Sequence, residues 1–158
     1  MKEWIKSVIL LPFNVTIVIP CLILYFTHFK YEFSGWLHVM MGIVLLLSGL
    51  YLAIWTMILF YKIGKGTLAP WAATKHLIVE GPYKLTRNPM ITGVLSILLG
   101  EAFILNANGI FCWIILFFII NSIYFKLYEE KDLERKFGEE YIEYKKNVPM
   151  WFPRFRVK

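Results

Sequence analysis

The fold of this chain is decided by residues 90–127, which read MITGVLSILLGEAFILNANGIFCWIILFFIINSIYFKL. Two apolar runs, Met90–Leu105 and Ile110–Leu127, are separated only by Asn106-Ala107-Asn108-Gly109. Asn and Gly are turn-forming residues, so the two runs are predicted to form a tight antiparallel helical hairpin. A helix needs about 20 apolar residues to cross the hydrocarbon core of a bilayer, and each run is close to that length. The hairpin is therefore predicted to lie in a membrane.

Two further apolar runs precede the hairpin, at Val8–Phe26 and Trp36–Tyr61. Of the 158 residues, 58% are hydrophobic and 18% are charged, whereas soluble domains carry about 25% charged residues. This excludes a water-soluble domain, a disordered chain and a disulfide-stapled scaffold. We predict an all-α integral membrane protein with about four transmembrane helices and a cytoplasmic C-terminal amphipathic helix that caps a pocket. The single membrane domain, 1–158, divides into two N-terminal spans, 1–61, and a core, 62–158, made of the loop 62–89, the hairpin 90–127 and the C-terminal segment 128–158.

The distribution of positive charge predicts the orientation. If the N-terminus is cytoplasmic, 16 of the 17 Lys and Arg residues lie on the cytoplasmic side, and only Lys30 lies outside. Because positive residues concentrate on the cytoplasmic side of membrane proteins, both termini are predicted to be cytoplasmic. The net charge of +6 then reflects the membrane rather than nucleic acid. The short loops and the composition favour a prokaryotic inner membrane.

No motif for metal binding is present, since the two cysteines lie in apolar runs and the histidines have no ligand spacing. We therefore predict no metal and no nucleic-acid partner.

The C-terminal segment has the pattern of an amphipathic helix that ends at Pro149. Its apolar residues form one narrow stripe on a helical wheel. They are Leu133, Phe137, Tyr141, Tyr144 and Val148, with Gly138 inside the helix. Two interpretations stay open: a surface helix resting on the bilayer, or a helix that packs over the long loop and closes a pocket. Glu130 falls inside the stripe, so its carboxylate needs a cation or a hydrogen-bond donor, and Lys126 is one candidate.

The long loop ends in a helix start of a type that binds anions. Gly81-Pro82-Tyr83 is a turn, Asn88 suits the N-cap position and Pro89 suits the first helical position. Free N–H groups at that helix start, with Arg87, could hold a carboxylate or phosphate. The alternative is a capped helix with an interfacial arginine.

These segments resemble the two signature sequences of the isoprenylcysteine carboxyl methyltransferase family, which is related to the phospholipid methyltransferases. The first is LIVEGPY at 77–83 with RNPM at 87–90. The second is the pair Glu129-Glu130 with FGEEY at 137–141 and YKKNVP at 144–149. Both occur in order, separated by the hairpin, and the resemblance covers about residues 75–153.

The resemblance implies an S-adenosylmethionine-dependent methyltransferase. Its cofactor would lie in a cytoplasm-facing pocket closed by the C-terminal segment, and a hydrophobic or lipid acceptor would reach it from the membrane lipids. The resemblance implies an active-site role for Arg87, to which we add Glu130 as a second catalytic residue. The implied cofactor contacts are Lys75, His76, Leu77, Ile78, Tyr83, Asn88, Pro89, Met90, Ile91 and Glu129.

Two departures from the family pattern bear on the acceptor. The family often has His where this chain has Asn88. It also places an arginine, thought to touch substrate, where this chain has Phe125. The second departure disfavours a prenylcysteine acceptor and leaves a lipid-like acceptor with an O, N or S nucleophile. Two alternatives stay open: an NADPH-dependent membrane reductase of the sterol-reductase type, which would need additional cations for the 2′-phosphate, and a non-catalytic membrane scaffold.

Overall fold

The structure is a computed structural model that describes residues 9–64 and 74–152. All regular elements within those ranges are helical. The start of the first predicted span, Val8, and the charged tail beyond Phe152 lie outside them. The α-helices are α1 (Ile19–Phe26), α2 (Trp36–Leu59), α3 (Pro89–Leu105), α4 (Asn108–Tyr124), α5 (Glu130–Phe137) and α6 (Glu139–Asn147). A π-helical segment, Ile9–Val18, precedes α1, and π-helical turns at Phe60–Gly64 and Phe125–Glu129 continue α2 and α4. The loop between α2 and α3 contains a 3₁₀ turn at Gly81–Lys84.

Two of the continuous helical stretches are long and apolar enough to cross a membrane. They are Trp36–Gly64 and Asn108–Phe137, which contain α2 and α4. The other two apolar helices, Pro12–Phe26 and Pro89–Leu105, are shorter. Most of the bulky apolar side chains of α2 are exposed, as expected for a helix whose outer face meets lipid. The all-helical prediction is confirmed for the described residues.

Close packing of α2 against α3 organises the membrane part of the fold. A Cβ on Gly49 would lie 2.7 Å from the backbone oxygen of Gly93. A Cβ on Gly42 would lie 2.8 Å from the backbone oxygen of Gly100. Such contacts are closer than any side chain tolerates, so glycine is needed where the two backbones meet. Ser96 adds a hydrogen bond across the interface, donating to the Leu45 carbonyl at 2.8 Å.

The turn between α3 and α4 matches the predicted hairpin. Only Asn106 and Ala107 separate the two helices. Asn106 adopts the left-handed conformation (φ +52°, ψ +44°), which asparagine tolerates better than most residues. The Ala107 N–H donates to the Ala102 carbonyl at 3.1 Å, and this bond satisfies one of the last carbonyls of α3. Ala102, Ala107 and Ile110 form a small buried cluster beside the turn.

The C-terminal segment is two helices rather than the one predicted. Gly138 takes φ +56° and ψ −131°, so α5 ends at Phe137 and α6 begins at Glu139. Residues with a side chain rarely adopt this conformation, and glycine adopts it without steric cost. The helical wheel assumes one continuous helix, so the apolar stripe did not reveal this break. The predicted end of the segment is close, since α6 stops at Asn147, two residues before Pro149.

The C-terminal segment packs over the long loop, the second of the two interpretations left open. The Arg87 N–H donates to the Pro149 carbonyl at 2.9 Å. The Thr86 hydroxyl donates to the Met150 carbonyl at 2.7 Å. The Trp151 ring then lies against α4, with its centroid 5.0 Å from that of Phe118. These contacts bring the last helices over the start of α3 and the end of α4.

Candidate functional site

A cavity of about 530 Å³ lies where the loop, the start of α3, the end of α4 and the two C-terminal helices meet. Ligand pockets for small molecules commonly have volumes of about 300–1,000 Å³. The cavity is lined by Pro12, Val15, Phe60, Thr74, Leu77, Ile78, Tyr83, Arg87, Asn88, Met90, Ile91, Val94, Phe117, Asn121, Tyr124, Phe125, Glu129, Glu130, Asp132, Leu133, Lys136, Tyr141 and Tyr144. Its walls thus combine an apolar and aromatic surface with a small set of charged groups.

The loop supplies one apolar wall of the cavity. Ile78 and Tyr83 are buried, with 5% and 7% of their surfaces exposed. Tyr83 is held by the 3₁₀ turn Gly81–Lys84, which begins at Gly81 with φ +57°. The Tyr144 hydroxyl donates to the Tyr83 carbonyl at 2.7 Å, so α6 holds this turn in place. Burial raises the pKa of Tyr83 well above its ordinary value, and its hydroxyl therefore stays neutral.

A buried ion-pair network crosses the cavity floor. Arg87 Nη1 donates to Glu130 Oε1 at 2.5 Å, and the two side chains are 12% and 8% exposed. Lys145 Nζ lies 2.6 Å from Glu130 Oε2 and 2.9 Å from Glu134 Oε1. Both carboxylate oxygens of Glu130 are therefore occupied by cations. The predicted need of Glu130 for a cation is confirmed, but its partners are Arg87 and Lys145 rather than Lys126.

One N–H donor of Arg87 is buried and unsatisfied. Its Nε is buried and has no hydrogen-bond partner among residues 9–64 and 74–152. A buried N–H without a partner costs about 1–3 kcal/mol. Arg87 also lines the cavity, and a ligand acceptor atom that reached this buried N–H would satisfy it.

Glu129 is the unpaired carboxylate of the site. It lines the cavity and lies just beyond Leu127, where the apolar stretch of α4 ends. Within the described part of the chain, no ion pair involves its carboxylate. Burial, with the nearby Asp132 charge as a second cause, raises the pKa of Glu129 to about 7. Such a carboxyl is stabilised in its charged form by a bound cation or hydrogen-bond donor.

Asn88 does not cap α3 as predicted. Its side chain makes no capping hydrogen bond at the start of α3. Instead, the Asn88 Nδ2 donates to the Met150 carbonyl at 3.4 Å, because the backbone after α6 passes close to the Asn88 side chain. Asn88 is 6% exposed and lines the cavity. Pro89 occupies the first helical turn as predicted, and the Asn88 N–H before it donates to the Thr86 hydroxyl at 3.4 Å.

The structure brings together nine of the twelve residues predicted for the site. Lys75 and His76 are exposed and do not line the cavity, since this part of the loop turns back toward α2 with the Lys75 N–H donating to the Gly64 carbonyl at 2.7 Å. Pro89 is fully buried beneath the cavity wall. The nine that line the cavity are Leu77, Ile78, Tyr83, Arg87, Asn88, Met90, Ile91, Glu129 and Glu130.

Sequence reasoning missed part of the lining. Pro12 and Val15, from the segment before α1, and Phe117 and Asn121, from α4, face the cavity. Each of these lies in an apolar run where lipid-facing and cavity-facing positions have the same composition. Tyr141 and Tyr144 belong to the stripe of the C-terminal segment, which the wheel identified as an apolar face without deciding what it packs against. No group of three or more His, Cys, Asp and Glu side chains placed to hold a metal occurs within 9–64 and 74–152.

The comparisons with known proteins point to one family. Residues 37–140 match the family model described as phospholipid methyltransferase. The match begins in α2, earlier than the segment that carried the sequence resemblance, and ends in the first turn of α6. Neither the curated proteins nor the solved structures include a significant match. Because the matched region covers well over half of the 158 residues and contains the loop, the hairpin and the Glu129–Glu130 pair, the chain belongs to the phospholipid methyltransferase family of membrane-bound methyltransferases that act on lipid-like substrates.

Proposed function

We propose that this protein transfers a methyl group from S-adenosylmethionine to a membrane-soluble, lipid-like acceptor at the cytoplasmic face of the membrane. The observation that carries the proposal is the composition of one cavity. It combines the unpaired carboxylate of Glu129, the unsatisfied N–H of Arg87 and an apolar wall that continues along a membrane helix.

The residues present fit the cofactor. S-adenosylmethionine, when bound, supplies a methyl group on a positively charged sulfonium that is already activated for transfer. Leu77, Ile78 and Tyr83 form an apolar slot suited to adenine. Glu129 is suited to the amino group or the ribose hydroxyls, and the Arg87 Nε to the carboxylate, because each of these protein groups lacks a partner among the described residues and would gain one from the ligand.

The roles proposed for the site follow from these contacts. Arg87 has an active-site role, in which it binds and orients the carboxylate of the cofactor. Glu130 acts as a positioning residue, because its two oxygens hold Arg87 and Lys145. The proposed cofactor-binding residues lining the cavity are Leu77, Ile78, Tyr83, Asn88, Met90, Ile91 and Glu129. A contact by Lys75, His76 or Pro89 would require the loop to rearrange, so we propose no role for them here.

Positioning and the exclusion of water suffice as a chemical strategy. Holding two reactants in line for displacement can supply about 7–11 kcal/mol of the barrier reduction in favourable cases. The C-terminal segment contributes by covering the cavity, since Tyr141 and Tyr144 form part of its lining. A residue that activates the methyl group is not required.

We further propose a four-span arrangement with both termini in the cytoplasm. The hydrogen bonds from Thr86 and Arg87 to residues 149–150 keep the loop and the C-terminal segment together. These two segments contain most of the 17 Lys and Arg residues of the chain. In this arrangement, 16 of the 17 lie on the same side of the membrane as the N-terminus. The positive-inside rule supports a cytoplasmic position for that side, and a prokaryotic inner membrane suits the short loops.

Phe125 narrows the acceptor class within the proposal. It lines the cavity at the position where the isoprenylcysteine carboxyl methyltransferases have an arginine, and its ring packs 6.1 Å from that of Trp151. A carboxylate acceptor would find no cation there. This favours a lipid-like acceptor other than prenylcysteine.

The reductase alternative is less well supported by the charges that line the cavity. Arg87 and Lys136 are the cations among the described lining residues, against the acids Glu129, Glu130 and Asp132. Arg87 is already paired with Glu130, which leaves Lys136 as the single lining cation without an ion pair among the described residues. A 2′-phosphate needs uncommitted cations, so this cavity is poorly matched to NADPH.

Calorimetric titration of S-adenosylhomocysteine into the detergent-purified protein tests the proposal, with NADPH as the comparison ligand. We expect micromolar binding of S-adenosylhomocysteine alone, and at least a tenfold loss in Glu129→Gln. Glu139→Gln is the matched control, because Glu139 is exposed at the start of α6 and does not line the cavity. Binding of NADPH in place of S-adenosylhomocysteine, or full affinity in Glu129→Gln, would contradict the proposal.

A further inference from the structure

The membrane-side wall of the cavity contains one amide in an otherwise apolar and aromatic surface. Along α4 the lining residues are Phe117, Asn121, Tyr124 and Phe125, and Val15 faces them from the segment before α1. Asn121 lies eight residues before Glu129, which is about 12 Å along a helix axis at 1.5 Å per residue. The amide is therefore well separated from the charged end of the cavity, on the side toward the membrane interior.

The hydrogen bonds of Asn121 leave its carbonyl oxygen open. Its Nδ2 donates to the Phe117 carbonyl at 2.8 Å. That bond turns Oδ1 away from the helix backbone, and no described residue donates to it. A polar side chain in a membrane helix is costly and usually marks a site used for function. An amide oxygen that faces a cavity is a hydrogen-bond acceptor for whatever enters it.

The segment before α1, which also lines the cavity, is joined to α4 by a second polar contact. The indole N–H of Trp113 donates to the Val15 carbonyl at 3.3 Å, and the Trp113 ring packs against Phe117 with centroids 5.7 Å apart. This joins the segment before α1 to α4 at positions that precede the amide along the helix. The membrane-side part of the cavity is thus an apolar slot that contains one amide.

We propose that Asn121 is an acceptor-binding residue: its side-chain oxygen accepts a hydrogen bond from an N–H or O–H on the head group of the methyl acceptor. The inference rests on the proposed function, because it treats this arm of the cavity as the acceptor site. The slot then favours head groups that carry a hydrogen-bond donor. An ether lacks this donor, and a carboxylate would be repelled by the amide oxygen.

Site-resolved photo-crosslinking tests the assignment. The probe is a long-chain alcohol with a diazirine in its chain, and the readout is the crosslink yield at peptides containing Val15 and Phe117. The competitors are dodecan-1-ol and 1-methoxydodecane, which differ in the hydroxyl hydrogen. One neutral hydrogen bond corresponds to roughly fivefold in affinity, so the alcohol should compete about fivefold better than the ether in the wild-type protein.

Three variants make the result specific. Asn121→Leu should abolish the ratio between the two competitors, and Asn121→Ala provides the same test with a smaller side chain. Ser122→Ala is the matched control. The Ser122 hydroxyl also donates to the carbonyl four residues earlier on α4, at 2.7 Å, but Ser122 does not line the cavity, so the ratio should stay at its wild-type value.

The outcomes separate this proposal from the proposed function. A ratio that is unchanged in both Asn121 variants, or reduced equally in Ser122→Ala, overturns the role of Asn121. Titration with S-adenosylhomocysteine runs in parallel and should give wild-type affinity in every variant. If wild type binds no S-adenosylhomocysteine but the Asn121 variants lose the ratio, the methyltransferase proposal fails and Asn121 still binds a donor-bearing amphiphile.

Discussion

Replacing Glu130 with glutamine tests the ion-pair network that holds Arg87 in the site. The carboxylate of Glu130 lies 2.5 Å from Arg87 Nη1 and 2.6 Å from Lys145 Nζ, and its side chain is 8% exposed. Glutamine preserves the size of the side chain but removes its charge. Arg87, which is 12% exposed, is then left as a buried cation with no carboxylate partner among the described residues.

The magnitude follows from the exposure of the two cations. Removing one partner of a buried ion pair costs about 3–5 kcal/mol, because the other charge is left uncompensated. Lys145 is 37% exposed and keeps Glu134 as a partner. The stability lost at Lys145 is therefore that of a surface ion pair, about 0–1 kcal/mol. We therefore expect Glu130→Gln to lower the free energy of unfolding by about 3 kcal/mol, mostly through Arg87.

Glu134→Gln is the matched control. It removes the same charge from a residue one helical turn away on α5, where the Glu134 side chain is 38% exposed and bonds only to Lys145 within the described chain. The expected loss is below about 1 kcal/mol. Denaturant unfolding in detergent micelles measures both variants, and titration with S-adenosylhomocysteine follows the site. Equal losses of stability in Glu130→Gln and Glu134→Gln would refute the reasoning.

The double variant Arg87→Met with Glu130→Leu separates stability from binding. Apolar side chains of similar volume often replace a buried ion pair without loss of stability. The double variant should therefore be more stable than Glu130→Gln and should bind no S-adenosylhomocysteine. Wild-type affinity in this variant would contradict the proposed role of Arg87.

Three further predictions concern the packing, the pH dependence and the cover of the cavity. Gly49→Val should lower the unfolding free energy by at least about 1–3 kcal/mol, the usual cost of overpacking, since its Cβ would lie 2.7 Å from two backbone atoms of α3. Leu47→Val, on the exposed side of α2, is the control in the same unfolding assay, and comparable losses would contradict the close approach. The pKa of Glu129 is raised from 4.5 to about 7, so folding favours its protonated form, and the stability of the ligand-free protein should fall as the pH rises from about 4.5 through 7. Affinity for S-adenosylhomocysteine should rise over pH 6 to 8, because the bound ligand needs the charged form, and calorimetry on Glu129→Gln should give a flat profile. Tyr144→Phe removes the hydrogen bond to the Tyr83 carbonyl and should weaken S-adenosylhomocysteine binding about three- to tenfold, by the value of one such bond; unchanged affinity would show that the 3₁₀ turn holds its place without α6.

Several features of the fold were predictable because they depend on local interactions. Helical hydrogen bonds join residues four apart, so an uninterrupted apolar run is enough to indicate a membrane helix. Asn106 was recognisable as a turn residue for the same reason, since its left-handed conformation is a property of one residue. The burial of Glu130 also followed from local geometry, because a helical wheel places it in the same apolar stripe as Leu133 of α5.

The partners of Glu130 were not predictable in this way. Lys126 was the candidate within one helical turn, whereas the structure pairs Glu130 with Arg87, 43 residues earlier in the chain, and with Lys145 beyond Gly138. The break at Gly138 decides the second contact, because it redirects α6 and brings Lys145 back toward α5. A wheel drawn through the whole segment assumes that no such break occurs.

The sequence by itself determined the class of the protein, most of its helical segments and the region predicted to carry its chemistry, since apolar runs, charge distribution and signature residues all act over short distances. Only the tertiary structure decided which of these residues meet. The register of α2 on α3 depends on glycines that approach the opposing backbone to within van der Waals contact, and no single helix contains that information. The cavity needs side chains from Pro12 to Tyr144. That Glu129 and the Arg87 Nε lack partners among the described residues becomes visible only once the fold has paired Glu130 with Arg87 and Lys145.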